Sequence, residues 1–131
     1  MKAFGLPILL ILIVYASAAD QTSTSAGKKV IRGWLSDESC ASGRASAGAF
    51  TGTNPTCAKE CVAKGKKIAL IDPEAKRLLK IENQSAAVEH IGDYVEVKGE
   101  LSSPTNLLHI DSLRMLSKGT EECERPKLKD R

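Results

Sequence analysis

From Tyr94 to Leu101 the chain alternates strictly. Val95, Val97 and Leu101 fall on one face, and Tyr94, Glu96, Lys98 and Glu100 on the other. A period of two is the mark of a half-buried strand. Four more segments have strand character: Val30 to Leu35, Lys67 to Asp72, Arg77 to Glu82 and Leu107 to Leu116. Gly33 interrupts the first and predicts a bulge or bend. Asp72-Pro73-Glu74-Ala75 joins the second to the third, and Ser103-Pro104-Thr105-Asn106 precedes the fifth. Both are turn sequences. Two short helices fit between the strands. Asn54-Pro55 reads as an N-cap followed by proline at the first helical position, and Gly65 can end that helix. The second is expected from Asn83, as its cap, to Gly92. Its apolar side is Ala86, Ala87, Val88 and Ile91, and His90 lies in its last turn.

The predicted order is strand, helical insertion, two strands, helix, two strands. It gives a mainly β fold: a five-stranded OB-like barrel with a short helix between strands 3 and 4 and a cysteine-bearing helical insertion between strands 1 and 2. A five-stranded open sheet packed by one helix is the competing arrangement. The domain is expected over residues 28–116. Residues 19–27 read as a flexible leader, 117–131 as a charged tail, and 41–53, rich in Ala, Ser, Thr and Gly, as a loop.

The N-terminus has a different character. Lys2 is followed by an apolar run from Leu6 to Tyr15 and by Ala16-Ser17-Ala18. This is the pattern of a cleavable signal peptide over residues 1–18. The run is short for a membrane span, which takes about 20 apolar residues. The chain is therefore expected to be secreted or periplasmic, without a stable membrane anchor. Removal of Lys2 lowers the formal charge from +3 to +2. So small an excess implies no polyanionic partner.

Export changes the meaning of the four cysteines, Cys40, Cys57, Cys61 and Cys123. An even count in an oxidising compartment suggests disulfides. Cys57 and Cys61 are four apart on the predicted helix and share a face. They are poorly placed to bond each other, but both can reach a third group. Strand order brings the end of the first strand near the inserted helix. The expected bridge is Cys40–Cys61, with Cys57–Cys123 as a weaker second. Two other readings compete. Four thiolates can hold zinc, although the pair spacing here is three residues rather than two. Alternatively, Cys57 near a helix start is a candidate reactive thiol.

Other constellations are sparse. His109 and Asp111 share a strand face and read as exposed polar residues. Asp37 and Glu38 beside Cys40 could bind a cation, but acids at a strand end are ordinarily solvated. Ser102, Ser103 and Ser112 have no nucleophile-elbow context. Gly43, Gly48 and Gly52 lack the spacing of a phosphate loop. Beyond the signal peptide the aromatics are Trp34, Phe50 and Tyr94. Trp34 is expected in the core or beside the cysteines. So few aromatics make no stacking platform for single-stranded nucleic acid.

The run Gly33-Trp34-Leu35-Ser36-Asp37-Glu38-Ser39-Cys40, followed by Cys57-Ala58-Lys59-Glu60-Cys61-Val62, resembles a group of small, signal-peptide-bearing bacterial proteins of unknown function. They read Gly-Trp-Ile/Leu-Ser-Asp-x-x-Cys and then Cys-x-x-x-Cys. Asn83-Gln84, His90-Ile91-Gly92 and Val95-x-Val97-x-Gly99 are similar too, so the resemblance covers most of residues 30–113. It implies an OB-like fold and an extracytoplasmic location, and no activity. Cys123 lies outside the matched stretch. Several members carry a His near the first Cys, and this chain has none there.

The sequence thus leads to an exported, non-enzymatic binding or interaction module with a disulfide-stabilised barrel. No catalytic residue, cofactor or resident metal is expected. Its partner would be an extracytoplasmic protein or small ligand. The alternative is a thiol-based redox or metal-binding protein using Cys40, Cys57 and Cys61.

Overall fold

The computed structural model describes residues 27–120. The expected signal peptide, nearly all of the leader and most of the charged tail lie outside the described residues. Five strands form: β1 (Gly27–Asp37), β2 (Ile68–Asp72), β3 (Arg77–Ile81), β4 (Tyr94–Ser102) and β5 (Leu107–Ser117). They close into one barrel in the order β1-β2-β3-β5-β4. This is the OB-like arrangement, and the open sheet is set aside.

β1 closes the barrel by changing partners. Gly27–Trp34 pairs antiparallel with β4, and Trp34–Asp37 pairs antiparallel with β2. A strand shared this way must bend where its partner changes. Gly33 sits at that point, and a β-carbon there would collide with the carbonyl of Ile71. The bend read from the sequence is thus a close backbone approach that only glycine permits.

Alternation delivers the interior. Leu35 and Leu70, Leu79 and Leu108, and Val95 and Val97 are fully buried from five different strands. Burying each such side chain is worth about 1.5–3 kcal/mol. The parallel β3–β5 seam spans only Lys80↔Leu107 and Ile81↔Leu108. The side-chain amide of Asn83 extends it, and that of Gln84 ties the start of β2 to the end of β3. Asn83 Nδ2 donates to the Ile110 carbonyl and Asn83 Oδ1 accepts the Ile110 N–H, both at 2.8 Å. Gln84 Oε1 accepts the Ile68 N–H at 2.7 Å, and its Nε2 donates to the carbonyls of Ile68 and Ile81.

These bonds correct the reading of residues 83–92. Asn83 reads as a helix cap, but its amide is committed to β5 and makes no cap hydrogen bond. The short helix expected between the third and fourth strands is present, as two successive 3-10 helices, Gln84–Ala86 and Val88–His90. Ala87 and Ile91 are buried in the core, and Val88 is left exposed.

The insertion after β1 holds two helices, α1 (Glu38–Ser46) and α2 (Pro55–Ala63). The expected loop at 41–53 is therefore helical in its first half. Ala41 of α1 packs with Ala69 and Ile71 of β2, and Trp34, Phe50 and Leu78 pack around them. Trp34 is half-buried in this satellite cluster, with its ring centroid 4.9 Å from that of Tyr94. α2 sends Ala58 into the barrel's main cluster, with Val62 packed against it.

Candidate functional site

The starts of α1 and α2 are built alike. Asp37, the last residue of β1, is the N-cap of α1. Its Oδ1 accepts the N–H groups of Ser39 and Cys40, each at 3.0 Å. Asn54 is the N-cap of α2, and its Oδ1 accepts the Cys57 N–H at 3.0 Å. A cap satisfies an amide that the helix itself cannot. Here each cap also fixes a cysteine three residues further on, in the first turn of its helix. Cys61 follows Cys57 by one turn and faces the same way.

The two helix starts converge. Cys40 Sγ lies 3.7 Å from Cys57 Sγ. The sulfurs of Cys40, Cys57 and Cys61 all lie within 4.8 Å of one another. Cys57 is exposed, and Cys40 and Cys61 are half-buried. A disulfide needs sulfurs about 2.05 Å apart, and all three here are free thiols. The expected convergence of Cys57 and Cys61 on a third group is observed, and that group is Cys40. Both α2 cysteines reach it, so the geometry does not single out the expected Cys40–Cys61 pair. Cys123, the expected partner of Cys57, lies outside the described residues.

Asp37 departs most from expectation. It is not solvated: its exposure is 0 %. Its capping oxygen is used, while Oδ2 is buried and has no hydrogen-bond partner. The carboxylate bears on the neighbouring thiols. Burial first, then Asp37 and Cys57, push the Cys40 thiol far up. Burial and the Asp37 charge also raise Cys61. Both are neutral thiols at neutral pH. A cation among the sulfurs would reverse each of these effects, because it favours thiolate and attracts the carboxylate.

The other candidates lie apart from this group. Glu38 is exposed, and its backbone N–H continues the β1–β2 ladder to the Lys67 carbonyl at 2.8 Å. His109 and Asp111 form the exposed polar face expected of β5. His109 Nδ1 lies 2.7 Å from Glu82 Oε2, and Asp111 Oδ2 lies 3.1 Å from Lys28 Nζ. His90 Nδ1 lies 3.6 Å from Asp93 Oδ2. Among the described residues, Cys40, Cys57 and Cys61 are the one group of three or more His, Cys, Asp or Glu side chains spaced to share an ion.

Sequence reasoning missed α1 and the burial of Asp37. The signal for α1 was present. Asp37-x-x-Cys40 and Asn54-x-x-Cys57 repeat one arrangement, a capping residue three positions before a cysteine. Comparison with protein-family models, with curated proteins and with solved structures finds no match to this chain.

Proposed function

We propose that this chain is an exported, non-enzymatic binding module whose ligand is a soft, thiophilic ion held by Cys40, Cys57 and Cys61. One observation carries the reading: three sulfurs from three helical turns lie within 4.8 Å of one another. Soft thiolate sets select ions such as Cu(I), Zn(II) and their heavier analogues. A zinc–thiolate bond is about 2.3 Å, so two sulfurs on a tetrahedral centre stand about 3.8 Å apart. Cys40 and Cys57 stand at 3.7 Å. The unpartnered, buried Oδ2 of Asp37 adds negative charge beside the cluster.

Export rests on Lys2, the Leu6 to Tyr15 apolar run and Ala16-Ser17-Ala18. No helix among the described residues is long and apolar enough to cross a membrane.

A redox role is the second reading, favoured by the Cys40–Cys57 approach. Oxidation there would form a disulfide and leave Cys61 as a thiol. Cd2+ titrated into the reduced, oxygen-free protein tests the first reading. Sulfur-to-cadmium absorption should rise and saturate at one ion per chain, and Cys40→Ser, Cys57→Ser and Cys61→Ser should each weaken binding at least about 100-fold. Absence of that absorption, with a disulfide forming readily in air, would favour the redox reading.

A further inference from the structure

The three-sulfur site has two properties that narrow its ligand. The first is its donor count. No fourth His, Cys, Asp or Glu ligand atom among the described residues joins the sulfurs within the same range. Four-coordinate zinc sites of the structural kind need a fourth protein ligand. A centre satisfied by three bonds needs none.

The second property is charge. Three thiolates carry three negative charges, and the buried Asp37 carboxylate beside them adds a fourth. A monovalent ion leaves the trithiolate at −2, and a divalent ion leaves it at −1, each next to that carboxylate. Like charges this close, partly removed from water, repel strongly. A trivalent centre leaves the trithiolate neutral, and Asp37 remains the one charge.

We propose, resting on the soft-ion reading, that the ligand is a trivalent metalloid of the arsenite or antimonite class, bound through three sulfurs at once. The chemistry balances without a redox partner. Arsenite at neutral pH is As(OH)3. Three As–O bonds break and three As–S bonds form. Each thiol proton leaves on a departing hydroxide as water, so three waters are released and arsenic stays trivalent. The exposed side of Cys57 gives the entering ion access.

Arsenite added to the reduced full-length protein, read by intact mass and by thiol count, tests this. The expected product is one adduct per chain, heavier by one arsenic less three hydrogens. Three thiols should disappear together and one should remain. Cys123→Ser should leave the affinity unchanged, and Cys57→Ser should weaken it at least 100-fold with an unaltered circular dichroism spectrum. At equal free concentrations arsenite should occupy at least ten times more protein than Zn2+. An adduct that keeps a hydroxyl on arsenic, or one that needs Cys123, overturns the three-sulfur proposal. Tight Cd2+ or Zn2+ binding through the same cysteines without arsenite binding overturns the metalloid inference and leaves the soft-ion reading standing. Binding of none of these ions removes both.

Discussion

Asp37 Oδ1 holds the backbone N–H of Cys40 at 3.0 Å, so the residue that ends β1 also sets the first cysteine of the cluster. The barrel and the sulfur site share that residue. Damage to one is therefore expected to reach the other.

Replacing Asp37 separates its two roles. Asparagine caps helices as well as aspartate does, whereas loss of a cap costs about 1 kcal/mol. Asp37→Asn should thus keep the fold and remove the buried negative charge. The Cys40 and Cys61 thiols should then ionise at lower pH, since Asp37 helps hold both up. Alkylation rates followed against pH should shift to lower pH in this variant. An unshifted profile would mean that the carboxylate does not act on the thiols. Asp37→Ala should also lose stability in denaturant unfolding.

Gly33→Ala tests the bend in β1. The added β-carbon meets the Ile71 carbonyl, a backbone atom that cannot swing away. The expected cost is about 2–4 kcal/mol, in the range of overpacking and backbone strain. A melting temperature within a degree of the parent's would contradict the close approach.

Glu96 gives the barrel an acid limb. Its Oε2 accepts from Arg32 at 2.9 Å and its Oε1 from Arg114 at 3.0 Å. The two guanidiniums, Arg114 first, hold its carboxyl below the usual glutamate range. A carboxyl depressed in the folded state stabilises above its unfolded pKa. That contribution disappears as pH falls from the ordinary value of 4.5 through the lowered one. Glu96→Gln should therefore be less stable than the parent near neutral pH and should lose less on acidification. Denaturant unfolding at about pH 7 and about pH 3 reads the difference. Equal acid sensitivity in the two proteins would place the acid limb elsewhere.

The strands were legible because their apolar positions recur at the spacing that fills the interior, although every residue of β2 is buried. Val95, Val97 and Leu101 point inward as their spacing says, and Tyr94 and Lys98 do not. The helices were harder to read. In α1, Ser42, Gly43 and Ser46 hide the helix behind loop-like composition, and its only buried residue is Ala41. At Asn83 the failure ran the other way. A local capping signal was overridden by a long-range pairing with Ile110, which sequence spacing does not reveal. For the site, the i to i+4 relation of Cys57 and Cys61 was readable, and so was their reach toward a third group. The burial of Asp37 was not, because it follows from how α1 folds over the end of β1.

The most direct test of the account is X-ray absorption at the cadmium edge, on reduced protein loaded with one equivalent of Cd2+. Three sulfur neighbours are expected in the first shell, falling to two in Cys40→Ser, Cys57→Ser or Cys61→Ser. A first shell of nitrogen and oxygen, or one with two sulfurs in the parent protein, would contradict it.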